Sequence, residues 1–144
     1  MLEAYWTTFH AEAKAPTRAY PGDAGFDLAA VEDVTIEPFG HADVHLGVAI
    51  QWPGSMWGFL VGRSSTFRTH GLMVHPAIID AGFRGELFAL CRNLTPDPVT
   101  IEVGQRVAQI IPMTTMADAV DLQGPVDELS LSERGTNGFG SSGH

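Results

Sequence analysis

The sequence predicts a single all-β domain that contains one short helix. Short β-rich segments recur between turn signals, and sixteen glycines and nine prolines separate them. At 144 residues the chain has the length of about one domain, which can bury one core without disulfides or a structural metal. Strand segments do not alternate with helical ones, so the pattern favours a sandwich, a jelly roll or a small barrel.

Seven segments are rich in β-branched and aromatic residues and are bounded by turn residues, as strands are. They span residues 5–10, 34–37, 44–50, 57–61, 85–93, 99–103 and 106–112. The third segment alternates apolar residues, from Val44 to Ile50, with smaller or polar ones, which predicts one strand with a buried face. Residues 64–70 predict the single helix, and Gly71 is expected to cap its C-terminus.

The fifth segment contains the continuous apolar run 88–91, which predicts a strand covered on both faces. Another subunit could supply the second cover. Cys91 is the only cysteine, so no internal disulfide can form, and we expect a buried, unreactive thiol in a reducing cytosol. No apolar run reaches the roughly 18 residues of a transmembrane helix, and residues 1–16 do not resemble a secretory signal.

The distribution of charge indicates what the chain binds. A formal net charge of -9 disfavours non-specific attraction to nucleic acid or to anionic membranes. Positive charge is limited to one lysine and seven arginines. Arg63, Arg84, Arg106 and Arg134 lie close to glycine or serine in turn-like sequence, which favours a local anion site. From charge alone, surface salt bridges to the many carboxylates are an equal alternative.

The chain divides by composition into two parts. Residues 1–129 contain all the predicted strands, whereas residues 130–144 are rich in glycine, serine and asparagine and have little apolar surface to pack. We therefore expect the second part to be a flexible tail. Arg134 and Phe139 stand among its glycines, so the tail could close over a ligand, with a passive end as the alternative.

Five glycine-bearing segments carry groups that suit a nucleoside triphosphate. They span residues 21–29, 62–65, 79–86, 104–110 and 134–143. Arginine forks, serine hydroxyls and backbone amides in glycine turns are the groups that bind phosphate oxygens. The chain has neither a Gly-x-x-x-x-Gly-Lys-Ser/Thr loop nor a His or Cys cluster with zinc-ligand spacing, which argues against a P-loop NTPase and a zinc site.

In their order and spacing, these segments resemble the five motifs of the trimeric dUTPase family, from about residue 20 to the C-terminus. Each segment alone arises often by chance, whereas the five together are specific. The resemblance implies a jelly roll, or distorted β-barrel, that forms a homotrimer with shared active sites. It also implies Mg²⁺-dependent hydrolysis of dUTP to dUMP and pyrophosphate, which limits uracil incorporation into DNA and supplies dUMP for dTMP synthesis.

The resemblance also implies a role for each matching residue. Asp80 would be the catalytic base that deprotonates a water for attack on the α-phosphorus; the alternative is an aspartate that only fixes its own turn. Asp27 would hold water around Mg²⁺ and order Arg63, while the substrate phosphates would supply most metal ligands. The other substrate-binding residues would be Ser64, Ser65, Ala77, Ile79, Phe83, Gln109, Arg134, Phe139, Gly140, Ser141 and Ser142. Motifs one, two and four of a site would come from one subunit, Asp80 from a second and the tail from a third.

Three positions depart from the family pattern. Phe83 stands where the family usually has tyrosine, so its ring can still pack on deoxyribose but makes no phenol hydrogen bond. Ala77 replaces a common glycine in the hairpin whose backbone would read uracil, and Gln105 replaces an acidic residue. In the tail, Phe139 would stack on the uracil ring. Arg106 is expected to brace the site and not to touch substrate.

Two alternatives belong to other classes. A dCTP deaminase of the same fold is suggested by residues 63–68 and 71–75, but Leu90 appears where deaminases carry a glutamate for attack at the base. A nucleotide-gated regulatory binding protein would use the same pocket, and a protein partner cannot be read from sequence.

Overall fold

The computed structural model describes residues 1–138. In chain order, the strands are β1 (Tyr5–Thr8), β2 (Phe26–Ala29), β3 (Val34–Ile36), β4 (His41–His45), β5 (Val48–Gln51), β6 (Met56–Gly62), β7 (Leu72–Val74), β8 (Ala77–Ile79), β9 (Phe88–Asn93), β10 (Val99–Ile101) and β11 (Arg106–Thr114). Helix α1 spans Ser64–His70, and a short 3₁₀ helix spans Ala117–Ala119. The prediction of an all-β chain with one α-helix is confirmed.

The strands form four antiparallel sheets in which most neighbours are distant in sequence. Their orders are β1-β5, β10-β3, β2-β11-β6-β8 and β4-β9-β7. The four-stranded sheet is the one that carries the candidate site, because β2, β6, β8 and β11 adjoin four of the five glycine-bearing segments. In the described part of the chain, no helix is long and apolar enough to cross a membrane.

One apolar core lies between these sheets. Its fully buried members come from nearly every strand, so the sheets are packed on one another and not on separate cores. They include Leu28, Ile36, Val44, Leu46, Val48, Leu60, Leu72, Ile101, Val107 and Ile110. The buried face predicted between residues 44 and 50 is present, since Val44, Val48 and Ile50 are all buried.

The prediction of one continuous strand over residues 44–50 is wrong. The chain forms two strands, β4 and β5, with Leu46 and Gly47 between them. Gly47 has φ +71°, and a Cβ atom at this position would lie 2.5 Å from Cγ1 of Val31. Only glycine adopts this left-handed conformation at little cost and also admits such close packing. The apolar alternation therefore continues across the break between β4 and β5.

Other boundaries also differ from the prediction. Strands β2, β7 and β8 were not predicted. Strands β2 and β8 are short and overlap glycine-bearing segments, and β7 contains only three residues after Gly71. The strand predicted over 85–93 begins only at Phe88, since Gly85 lies in a bend and Glu86 and Leu87 lie outside any strand. Helix α1 has the predicted bounds, and Gly71 caps it with φ +65° and an N–H donated to the carbonyl of Phe67 at 2.9 Å.

Strand β9 is covered on only one face by its own chain. Ala89 and Cys91 are fully buried, whereas Phe88 and Leu90 are exposed to 43% and 38%. Burial, with a smaller contribution from the charge of Asp43, raises the pKa of the Cys91 thiol to about 11. The thiol is therefore protonated and shielded near neutral pH, as expected for an unreactive cysteine.

Candidate active site

The four-stranded sheet brings three of the motifs together at the C-terminal end of β6. Gln109 of β11 lies opposite Asp27 of β2 on one side and opposite Val61 of β6 on the other. Arg63 follows the last residue of β6 directly. Because neighbouring strands are about 4.8 Å apart, the first, second and fourth motifs share one surface.

Asp27 is the centre of this surface. Nε of Arg63 donates to Oδ1 of Asp27 at 2.8 Å, and Nη1 of Arg106 lies 3.6 Å from Oδ2. The Asp27 side chain is only 13% exposed, so the two guanidinium groups balance a largely buried carboxylate. The backbone of Asp27 is held by Thr17, which exchanges two hydrogen bonds with it. The expected contact between Asp27 and Arg63 is thus present, and Arg106 braces the pair.

Helix α1 extends this surface with two hydroxyl groups. Ser64 and Ser65 form its first turn and are exposed beside Arg63. The helix is attached to the sheet by Thr66, whose buried hydroxyl donates to the carbonyl of Val107 at 2.9 Å. This hydrogen bond therefore holds the first turn of α1, with its two serines, against β11.

Gln109 is held in the same surface by the backbone. Its Nε2 donates to the carbonyl of Gly62 at 3.1 Å. Its Oε1 lies 2.7 Å from the position that a Cβ atom would occupy on Gly25. Gly25 therefore admits the close approach of Gln109, and its φ is not positive.

Asp80 lies at the other end of β6. Ile79 is paired with Gly58, and β8 is antiparallel to β6, so Asp80 lies level with the beginning of β6. Arg63 follows the end of β6, about six residues away, which corresponds to roughly 20 Å along the strand. No side chain bridges this distance, so one chain does not bring Asp80 to Asp27 and Arg63.

A cavity of about 400 Å³ lies beside Asp80. Its lining residues come from the beginning of β6, the β8 hairpin and the segment after β11, and they are Gly54, Ser55, Trp57, Ile78, Asp80, Ala81, Thr115, Ala117 and Asp118. Ser55, Thr115 and Asp118 lie outside the five glycine-bearing segments, so no sequence motif identifies them as site residues. A second cavity of about 320 Å³ beside β1 is lined by apolar residues alone and offers nothing to bind phosphate.

The turn after Asp80 is stabilised by hydrogen bonds between its own residues. The N–H of Phe83 donates to the carbonyl of Asp80 at 3.0 Å. Nη1 of Arg84 donates to the carbonyls of Ala81 at 2.7 Å and of Phe83 at 3.2 Å. The Phe83 ring folds back over Gly85. Arg84, which the sequence analysis placed in a general anion site, is thus bonded to its own backbone.

The other residues predicted for substrate binding are dispersed. Ala77 and Ile79 are the first and last residues of β8 and are half-buried. Arg134 is exposed and donates to the carbonyls of Asn137 at 2.8 Å and Gly138 at 3.4 Å. The predictions for Phe139, Gly140, Ser141 and Ser142 fall outside the described residues.

Over residues 1–138, no group of three or more His, Cys, Asp or Glu side chains is close enough to hold a metal ion. The isolated pair of His45 and Glu86, with Nδ1 and Oε2 2.6 Å apart, has no third ligand in that range.

Comparison with known proteins relates this geometry to a family. The family model for dUTPase matches residues 11–143. The chain is 45% identical over 135 residues to the deoxyuridine 5'-triphosphate nucleotidohydrolase of Leifsonia xyli subsp. xyli, covering 91% of this chain and 86% of that protein. The chain belongs to the dUTPase family. The prediction drawn from the five motifs, that it is a dUTP diphosphatase, is confirmed at this level.

Further relatives agree with this dUTPase assignment. The homologous nucleotidohydrolase of Thermobifida fusca is 43% identical over 89% of this chain and 72% of that protein. A dUTPase from Staphylococcus bacteriophage 80alpha, solved with dUPNHPP, superposes with a TM-score of 0.90 at 27% identity and covers 99% of both chains. A dUTPase from phage phi11 of S. aureus, described with a structural Mg(II) ion, has a TM-score of 0.80 at 21% identity and shows the fold alone. The dUTPase-like jelly roll expected from the motifs is therefore confirmed.

Proposed function

We propose that this dUTPase hydrolyses dUTP to dUMP and pyrophosphate at active sites built from more than one chain. The observation that carries the proposal is the separation of two clusters on β6. Asp27, Arg63 and Arg106 lie at one end, and Asp80 lies at the other. Each cluster has a part of the groups that hydrolysis of a nucleoside triphosphate requires.

The Arg63 end of β6 is suited to the triphosphate. The Nε of Arg63 donates to Asp27 and its Nη1 donates to the carbonyl of Arg106 at 3.4 Å, which leaves Nη2 on a side chain that is 30% exposed. The hydroxyls of Ser64 and Ser65 are exposed next to it, and Gln109 lies in the same surface. We infer that these side chains bind phosphate oxygens, with Arg106 acting through Asp27.

Mg²⁺ fits this end of the site through water. Asp27 is the carboxylate nearest the proposed phosphates, and its Oδ1 already accepts a hydrogen bond from Arg63. Mg²⁺ keeps several waters and is commonly bound by substrate phosphates together with one or two carboxylates. Asp27 would therefore hold metal-bound water, and the ion would supply neutralisation of the phosphate charge.

Asp80 is suited to the chemical step. It is exposed beside the hairpin, and within the described residues its carboxylate accepts no hydrogen bond from its own turn. This argues against the alternative in which Asp80 only fixes the turn. We infer that its carboxylate takes a proton from water, whose oxygen forms a bond to the α-phosphorus. The bond from that phosphorus to the bridging oxygen then breaks, and pyrophosphate leaves.

A neighbouring chain can bring the two ends together. The outer face of the sheet beside Asp80 is apolar and partly exposed, and Phe59, Ile78 and Met113 contribute to it. Phe88 and Leu90 of β9 are also left without cover. Closed cyclic assembly would cover such faces and place Asp80 of one chain against Arg63 of the next. We propose the homotrimer with three shared sites.

The hairpin and the tail would define the nucleoside pocket. Ala77 and Ile79 would offer backbone groups to the uracil ring, and the ring of Phe83 would lie against the deoxyribose. Residues 130–144 would close over the bound nucleotide, with Arg134, Ser141 and Ser142 at the phosphates and Phe139 and Gly140 at the base. In the cytoplasm this activity would limit uracil incorporation into DNA and supply dUMP.

The direct test is a parallel assay of pyrophosphate release from dUTP, dCTP, dTTP and UTP, with Mg²⁺ and with EDTA. We expect rapid release from dUTP with Mg²⁺ and little from the other three nucleotides. Ammonia release from dCTP would favour the deaminase, and tight dUTP binding without turnover would favour a regulatory binding protein. Comparable turnover of dTTP or UTP would contradict the proposed pocket.

A further inference from the structure

The turn after Asp80 contains two glycines and one arginine to which the proposed function assigns no role. They are Gly82, Arg84 and Gly85. Neither glycine is among those with positive φ. Backbone conformation therefore does not account for glycine at either position, and the reason must be sought in the space around each one.

That space differs sharply between the two glycines. A Cβ atom on Gly82 would have no other atom within 4 Å. A Cβ atom on Gly85 would lie 2.6 Å from Cζ of Phe83, 3.1 Å from Cε2 and 3.2 Å from Cε1. The far edge of the Phe83 ring therefore rests on the bare Cα of Gly85, and any larger residue would push the ring away.

Arg84 holds the backbone that allows this contact. Its Nη1 donates to the carbonyls of Ala81 and Phe83, on both sides of the exposed Gly82. It makes no salt bridge with a carboxylate anywhere in residues 1–138. A guanidinium that bonds two carbonyls of one turn limits how far that turn can open.

We propose that Gly85 is a specificity-determining residue and Arg84 a positioning residue, which together hold the Phe83 ring in place before substrate binds. The inference rests on the proposed function in one respect, that the ring of Phe83 meets the sugar. A Phe83 ring that rests on Gly85 is held at a fixed distance from the turn. It would leave room for a 2′-deoxy carbon and none for a 2′-hydroxyl.

Gly85→Ala is the principal test, and Gly82→Ala in the same turn is its matched control. The added methyl group at residue 85 would move the ring outward by about 0.8 Å to restore ordinary contact. We expect the ratio of kcat/KM for dUTP to that for UTP to fall by about tenfold or more, as in pockets that change by one methyl group. Gly82→Ala should keep the ratio within about twofold, because its methyl group meets open space.

Arg84→Met and Arg84→Lys test the second part of the proposal. Methionine keeps the length of the side chain and removes the donors, so the ratio should fall as in Gly85→Ala. Lysine keeps a donor that can reach one carbonyl, so it should recover part of the loss. Equal ratios for wild type, Gly85→Ala and Gly82→Ala would overturn the proposal, as would equal ratios for the two Arg84 variants and wild type.

The contact between the Phe83 ring and Gly85 can be measured without enzyme turnover. In protein labelled with ¹³C-glycine, the α-protons of Gly85 should be shifted by the ring current of Phe83, and Phe83→Leu should abolish that shift. A wild-type protein with the shift but without dUTP hydrolysis would refute the proposed function alone. A wild-type enzyme that hydrolyses dUTP but does not show the ring-current shift would refute only the proposed contact between Phe83 and Gly85. Unaltered thermal unfolding of Gly85→Ala would show that its effect is local.

Discussion

Mixed assemblies of two inactive variants give the sharpest test of the shared site. The two variants are Asp80→Asn and Arg63→Ala, which damage opposite ends of β6. Asp80→Asn should lower turnover by roughly two to four orders of magnitude, the range for loss of a general base. Arg63→Ala should lower turnover by about two to three orders, the range for loss of one donor to a charged transition state. Each variant alone is therefore nearly inactive.

The expected recovery follows from the separation of about 20 Å between the two ends. If each site takes Arg63 from one chain and Asp80 from its neighbour, every mixed trimer contains one site in which both are intact. Random assembly from equal amounts then leaves about one quarter of all sites complete. Co-refolded protein should show about a quarter of wild-type activity, far above either parent.

A second pair of variants serves as the control. Asp27→Asn and Arg63→Ala alter two residues that are in contact within one chain, with Nε and Oδ1 2.8 Å apart. No mixed trimer of this pair contains a complete site, so its activity should equal the mean of the two parents. An affinity tag on one chain and intact mass measurement would verify mixing. Recovery no greater than in this control, in verified mixed trimers, would refute the argument that Asp80 and Arg63 of one site belong to different chains.

Three further predictions concern stability. Asn93→Ala should lower the free energy of unfolding by roughly 3 kcal/mol. The fully buried amide of Asn93 donates to three carbonyls and accepts two hydrogen bonds from Thr95. A loss under about 1 kcal/mol in urea unfolding would contradict this prediction. Gly71→Ala should cost more than Gly54→Ala in the same measurement. Both have positive φ, but only at Gly71 would the Cβ meet another atom, at 2.3 Å. The pKa of the Cys91 thiol is raised from 9.0 to about 11. The contribution of the buried, protonated thiol to the free energy of unfolding is therefore complete below pH 9 and is lost as pH rises through 11. Relative to Cys91→Ala, the wild type should lose roughly 2 to 3 kcal/mol over that interval, and parallel pH profiles for the two proteins would exclude the effect.

Sequence was most informative where local chemistry determines structure. The helix over 64–70 and its glycine cap were predicted correctly. A glycine directly after a helical segment is a local sequence signal, because glycine adopts the left-handed conformation that ends a helix. The all-β class followed from the composition of the strand segments. The contact of Asp27 with Arg63 was expected only from the family resemblance, since 36 positions separate the two residues.

Features that depend on tertiary packing were less accessible. The break at Gly47 combines a positive φ with the close approach of Val31, and no local sequence pattern indicates that contact. The short strands β2, β7 and β8 exist because partners in other parts of the chain pair with them. The bonds of Arg84 to its own turn were missed for a different reason, because an arginine beside glycine indicates phosphate and backbone carbonyls equally well.

The buried position of Cys91 makes the chain convenient for site-specific labelling. It is the only cysteine, it is fully buried, and its thiol is protonated at the neutral pH used for maleimide coupling. A cysteine introduced at an exposed position such as Ser130 would therefore react alone, without prior removal of the native thiol. A fluorophore at that position would report how residues 130–144 respond to nucleotide while the core of the protein stays unaltered.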